Sequence, residues 1–406
     1  MKVAVIGGGA AGFFAALSAA EHHPKASITI FEQSGKLLSK VKISGGGRCN
    51  VTNGTTSIAQ LAKAYPRGSK QLKRAFRTFS TTHTMQWFEE RGVALMTQED
   101  NCVFPVSQSS QTVIDCFLAE AKRHGIRIQA KAGVVGLERL PEDRWRLHFR
   151  KGQPAPQAFD RVIVATGGSP KRRGLAWLEQ MPHAIEDPVP SLFTFNMPEE
   201  SVTELMGVVV EKVLVDIQGT KLQSDGPLLI THWGMSGPAI LKLSAFGART
   251  LSELGYQFKV QVNWANERNA QAVAGHLRDL AEAHPQKAAA NLRPYELPKR
   301  LWHFLLEKAV LPADKKWGEL GKKGINKLTH LLTNDVYAVR GKTTFKEEFV
   351  TCGGISLQDI DFKSMQSRTC PNLYFAGEVL DIDGITGGYN FQSAWTTGYI
   401  AGRLEG

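Results

Sequence analysis

Apolar positions follow two rhythms along the chain. Val3-Ala4-Val5-Ile6 and Ser27–Phe31 are short apolar runs with the length of buried strands, and Phe13–Ala20 is an apolar helix between them. Ser69–Phe79 has helical spacing, with Leu72, Ala75, Phe76 and Phe79 on one face. Thr82–Arg91 and Thr112–His124 read as further helices, closed by Gly92 and Gly125. Strands are expected at 126–129, 133–137 and 144–149, and then at Asp160–Ala165, which runs into Thr166-Gly167-Gly168.

From Pro188 the rhythm changes. Leu192–Asn196, Val208–Ile217, Leu228–Thr231 and Tyr256–Asn263 are short, β-branched and separated by Gly and Pro, as antiparallel strands are. Helical patterns follow at 266–283, with Asn266 as the expected N-cap, and at 297–311 and 324–333. The segment 346–355, the strand Leu373–Ala376 and a helix over Phe391–Arg403 complete the chain. Gly398 and Gly402, four apart, would let that helix approach a neighbour closely.

The first strand, helix and second strand carry a chemical signature. Gly7, Gly9 and Gly12 stand at G-x-G-x-x-G spacing after a strand, and Glu32 follows about twenty residues later. One glycine serves the turn, one admits a pyrophosphate, and one allows helix and strand to pack. The helix N-terminus attracts phosphate, and Glu32 can accept ribose hydroxyls while repelling a 2′-phosphate. Three glycines inside the apolar run, and a strand directly after it, argue against a signal peptide.

The segment 36–53 is rich in Gly, Ser and Lys and reads as a loop over the cofactor. There Lys40, Lys42 and Arg48 could meet a pyrophosphate, and Cys49 and Asn50 a ring.

Composition narrows the class. The chain has 406 residues, 42% apolar and 21% charged, an ordinary globular balance for two or three domains. No run approaches a membrane span. The five cysteines are widely spaced with no C-x-x-C, so neither a metal site nor a redox disulfide is expected, and reduced thiols point to the cytoplasm. The net charge of +11 favours anionic partners. Its densest stripe is Lys70, Lys73, Arg74 and Arg77, with Lys63 and Arg67 just upstream and no acid nearby before Glu89 and Glu90. A solvated helix face and an RNA-facing surface are both open readings.

The blocks KISGGGRCNVTN, VFPVSQSSQTV, THWGMSGPAIL, FVTCGGISL and FAGEVLDIDGITGGYN resemble a bacterial family of NAD(P)/FAD-dependent oxidoreductases. That family includes a ribosomal-RNA dihydrouridine synthase and a bile-acid dehydro-intermediate reductase. The resemblance implies an α/β fold with a glutathione-reductase-type two-part FAD domain (1–188 and 346–406), a β-rich insertion (189–264) and a helical subdomain (265–345).

It also implies FAD contacts. Gly7, Gly9, Ala10, Ala11 and Gly12 would hold the pyrophosphate, Glu32 and Gln33 the adenosine ribose, and Val134 the adenine. Lys40, Gly47, Arg48, Cys49 and Asn50 would lie along the pyrophosphate, ribityl chain and flavin. Thr166 and Gly167 would flank the nucleotide, Gly377 and Glu378 the ribityl chain. Gly388, Tyr389, Asn390 and Phe391 would sit at the pyrimidine end of the flavin.

No second dinucleotide motif is present, so NAD(P)H enters only as a transient reductant. Proton-donor candidates are Cys49, Cys352, His232 and Tyr389, all in glycine-rich turns, with Cys352 and His232 put first, although the family often carries Ala at the position of Cys352. The expected reaction is reduction of a conjugated C=C bond by hydride from flavin N5, with uracil in ribosomal RNA as the leading substrate. A small-molecule enone reductase and a non-catalytic flavin-holding RNA-binding factor are the alternatives.

Overall fold

The computed structural model describes residues 1–152, 154–343 and 350–405. Lys346–Phe349 of the expected return segment, and the boundary expected at 345/346, lie outside the described residues. The chain forms two compact units, Met1–Ser191 with Phe345–Gly406, and Leu192–Thr344.

The first unit is built on a seven-stranded sheet. Its parallel part runs Leu373–Phe375, Arg161–Val164, Lys2–Ile6, Ser27–Phe31, Arg127–Gln129, with Lys2–Ile6 in the middle. Val3 stands opposite Arg161 on one side and Ile28 on the other. Such strands are covered on both faces, which is why they read as unbroken apolar runs.

The helix Ala10–His22 leaves the central strand and packs against the helix Tyr389–Gly402. The glycines of the second helix make this possible. A Cβ on Gly398 would lie 2.8 Å from the Ala11 carbonyl oxygen, and one on Gly402 only 2.4 Å from that of Ala15. Ser18 Oγ donates to the Tyr399 carbonyl across the same seam, at 2.7 Å. Beside it Phe14 contacts Phe79, Trp87 and Trp395, and Trp395 Nε1 donates to the Val51 carbonyl.

The second unit holds a seven-stranded sheet whose described pairings are all antiparallel, with helices on its own apolar core. Two local expectations are corrected here. The N-cap of Ala270–Ala283 is Asn269, whose Oδ1 accepts from Gln271 and Ala272, while Asn266 stands at φ +53° outside the helix. Asp335–Arg340, expected within a helical stretch, is a strand paired with Gln257–Asn263. Its alternate residues Asp335, Tyr337 and Val339 are buried, a period of two that the preceding helix masked.

The helix seam yields a prediction. Gly402→Ala should cost about 1–3 kcal/mol, because backbone cannot give way as a side-chain tip can. A urea unfolding midpoint equal to that of the parent would contradict this.

Candidate cofactor site

Strand Lys2–Ile6 ends in a turn whose glycines have different jobs. Gly7 has φ +116°, and a Cβ there would lie 2.3 Å from the Ala165 carbonyl oxygen. A Cβ on Gly12 would meet the Gly7 carbonyl oxygen at 1.9 Å. Both are therefore required by the fold itself. Gly9 differs, since a Cβ there would meet nothing within 4 Å. It is the N-cap of the first helix and brings no side-chain cap, so the first N–H groups of that helix receive no acceptor from it.

Glu32 ends the neighbouring strand. Its carboxylate accepts from Gly8 N at 2.9 Å and Ser34 N at 2.7 Å. These bonds fix its direction and leave lone pairs for a diol. Gly7, Glu32, Gln33, Val134, Thr166 and Gly167 line one cavity of about 590 Å³. The expected adenosine and nucleotide-flanking residues are thus brought together. Sequence reasoning missed part of this wall: Arg150, Arg173, Trp177 and Gln180. Arg150 donates to Gln33 Oε1 at 3.2 Å. The basic, glycine-containing stretch around Arg173 carries no periodic signal that would have flagged it.

Lys40 and Glu378, both expected at the cofactor, form an ion pair at 2.7 Å. Glu378 Oε1 also accepts from Thr351 N at 2.8 Å. Gly377 stands at φ +76° and donates its N–H to Thr397 Oγ1 at 2.8 Å. The buried Thr351 hydroxyl lies beside Gly168 and has no hydrogen-bond partner among the described residues.

The segment expected as a loop begins with a helical turn, assigned over Ser39–Gly47 and broken at Ser44, Gly45 and Gly46. The glycines hid it, since Gly45, Gly46 and Gly47 all have positive φ. Cβ positions on Gly46 and Gly47 are open. Arg48 is held by its neighbours: it lies 4.2 Å over the Phe104 ring and donates to the Gly45 carbonyl at 3.1 Å. Asn50 Oδ1 accepts from Val103 N at 3.2 Å.

Cys49 does not face a ring. Its side chain is 0% exposed, because φ of +63° turns it into the core, and burial pushes the thiol up to about 12.

The turn before the closing helix is tied on every side. Asn390 accepts from Gly384 N at 2.8 Å and donates to the Gly384 carbonyl at 2.9 Å. Asn53 donates to the Gly387 carbonyl, and Tyr65 to that of Tyr389. A Cβ on Gly388 would lie 2.3 Å from the Thr52 carbonyl oxygen. Gly388 at φ +87° is the N-cap, again without a side-chain cap. Phe391 stacks on Trp395, and burial raises the Tyr389 phenol above its ordinary value.

The two leading proton-donor candidates lie in different units. Cys352 is fully buried in a strand opposite Val189. His232 is exposed in the second unit, in the turn between strands Gln223–Thr231 and Gly234–Ser236, with its ring against Trp233. Elsewhere, Glu21, Glu120 and His124 converge within 4.8 Å, but Arg91 pairs with both carboxylates and Arg123 with Glu120 as well, so two cations already match the two acids.

Residues 1–404 match the family model described as HI0933-like protein Rossmann domain, and the chain belongs to that family. The particular relatives are enzymes. The chain is 28% identical to the 3-dehydro-bile acid delta(4,6)-reductase of Clostridium scindens, over 99% of this chain and 98% of that one. It is 27% identical to the ribosomal RNA dihydrouridine synthase of Haemophilus influenzae, over 97% and 96%.

The fold is that of FAD-dependent oxidoreductases such as 3-ketosteroid delta1-dehydrogenase from Sterolibacterium denitrificans. Against that structure, solved with 1,4-androstadiene-3,17-dione, identity is 12%, coverage 98% of each chain and the TM-score 0.53. The 3-ketosteroid-delta4-(5alpha)-dehydrogenase of Rhodococcus jostii gives 13%, 99% and 95% coverage, and 0.50.

The residues present fit FAD. Two uncapped helix N-termini, the open Gly9, Gly46, Gly47 and Gly167 positions, the oriented Glu32 carboxylate and the orphaned Thr351 hydroxyl suit a long nucleotide.

Two outcomes are expected. Gly9→Ala should keep the parent's thermal midpoint yet weaken FAD binding, whereas Gly12→Ala should lose both; calorimetry of each apoprotein with an FAD titration separates them. The Cys49 thiol adds a pH dependence. It keeps its proton in the fold where the unfolded chain, with an ordinary value of 9.0, gives it up. Its stabilisation is therefore complete below that value and lost as pH rises towards about 12. Unfolding free energies of the parent and Cys49→Ala should converge across the alkaline range; a constant gap would refute the assignment.

Proposed function

We propose that the chain is an FAD-dependent reductase of a conjugated C=C bond, with uracil in ribosomal RNA as its substrate. The observation that carries the RNA assignment is the basic stripe. Lys63, Lys70, Lys73, Arg74 and Arg77 are exposed, and none has an ion-pair partner among the described residues. An ordinary solvated face is laced with opposite charge, as Arg139–Asp143 is elsewhere in this chain. Arg67 is the exception within the stripe, since it pairs with Asp383. The overall +11 charge adds long-range attraction for a polyanion. The two relatives differ in substrate at nearly equal identity, 27% and 28%, so likeness alone does not choose between them.

When bound and reduced by NAD(P)H, FAD supplies a hydride from N5 to the electron-poor carbon. The chain's own part is electrostatic. The open N-terminus of Tyr389–Gly402 favours negative charge at the pyrimidine end of the cofactor. Lys40, its charge matched by Glu378, supplies N–H donors along its length. With Cys352 and Cys49 buried, the proton comes from water or from the substrate's surroundings rather than from either thiol.

Two measurements test the substrate. Affinity for a single-stranded ribosomal-RNA fragment should fall with salt, with a log–log slope of about −3 if the stripe Lys70, Lys73, Arg74 and Arg77 meets phosphates. Replacing these residues by Gln should flatten the slope while leaving reduction of a free enone unchanged. Mass-spectrometric mapping of ribosomal RNA from a deletion strain should then show loss of dihydrouridine. Unaltered RNA together with enone turnover would favour the small-molecule reading, and flavin that no reductant turns over would favour a non-catalytic factor.

A further inference from the structure

Asp383 lies in the turn that leads to the closing helix, and its side chain is fully buried. Arg67, itself only 10% exposed, reaches both carboxylate oxygens, one with Nε and the other with Nη2. Ser191, the last residue of the first unit before the insertion, donates its hydroxyl to the same carboxylate. The backbones of Arg67 and Asp383 also form an antiparallel bridge, and Ile385 N donates to the Ala64 carbonyl at 2.9 Å. Packing is tight along this seam. A Cβ on Gly68 would lie 2.7 Å from Ile382, and one on Gly384 3.2 Å from the Tyr65 ring.

Stability does not explain such a pair. Burial works against the Asp383 charge, and Arg67 offsets only part of it. Well-packed apolar residues would hold the same place at no loss. What a two-pronged guanidinium–carboxylate contact adds is a fixed angle. Here the angle belongs to the turn that ends in Gly387, Gly388 and the uncapped helix N-terminus.

We propose that Arg67 and Asp383 are positioning residues for the cofactor: their paired contact sets the shape of the turn Ile382–Gly388 and so aims the N-terminus of Tyr389–Gly402 at the flavin ring. This rests on the reading above that the ring lies at that turn. Gly68, next to Arg67, caps the basic helix, so the same contact anchors the start of that stripe.

The experiment uses the full chain stripped of flavin and titrated with FAD, followed by the visible spectrum and midpoint potential of the saturated protein. Asp383→Asn and Arg67→Gln should each raise the FAD dissociation constant about tenfold or more, because each strands the other's buried group. Both should displace the flavin potential. Arg67→Gln with Asp383→Asn should recover part of the loss, and Arg67→Lys should fall between, since an ammonium cannot make the two-pronged contact. Ser191→Ala, which removes one hydrogen bond, should show the same shifts in smaller measure. If the single variants do not fold, the double variant and Ser191→Ala carry the test.

Variants that unfold earlier yet bind FAD with the parent's affinity, spectrum and potential would overturn the proposal and leave a purely structural pair. A parent protein that takes up no FAD overturns it differently, by removing the cofactor reading itself.

Discussion

The first unit depends on one steric constraint: backbone must touch backbone on both sides of the helix Ala10–His22. Towards the sheet, Gly12 sits against the Gly7 carbonyl, with no room for a methyl group. Towards the closing helix, Gly398 and Gly402 sit against the carbonyls of Ala11 and Ala15. Dispersion across such a seam is dense, and any added side chain costs overpacking rather than a simple contact. With the helix gripped this way, its N-terminus has one position, just beyond the end of the central strand. Open parallel sheets bind ligands at that end. Glu32, one strand over, is then held by Gly8 and Ser34 at the height of the same cavity.

The site divides into parts made by local sequence and parts made by distant chain. The local part was legible. Strand, glycine spacing, helix and Glu32 are consecutive, and each residue type has one physical reason to be there. The pairing Lys40–Glu378 and the tie between Asn53 and Gly387 join residues hundreds of positions apart, and even Thr351, which supports Glu378, belongs to a separate strand. A single sequence carries no signal for such contacts beyond the residue types themselves.

Errors followed the same physics. Cys49 seemed placed to face a ligand because it sits in a glycine-rich turn, but its own positive φ sends the side chain inward. Ser39–Gly47 seemed a loop because glycine disfavours helix, yet its first residues form a helical turn before the glycines bend the chain away. Asp335–Arg340 follows a strong helix with only one residue between, and its short alternation was lost in the longer period. The wall that includes Trp177 is irregular, and irregular walls are set by tertiary packing alone.

The grip between the first and last helices also has a bearing on how the protein is made. A ribosome releases Ala10–His22 hundreds of residues before Tyr389–Gly402 exists. Until then Phe79, Trp87 and Phe117 can cover the phenylalanines of the early helix, but its face at Ala11 and Ala15 stays bare. The unit Leu192–Thr344, by contrast, draws its strands and core from one unbroken stretch and can form while synthesis continues. The nucleotide half is thus the last to close, and during the wait its exposed seam is the part of the molecule that most needs shielding from other chains.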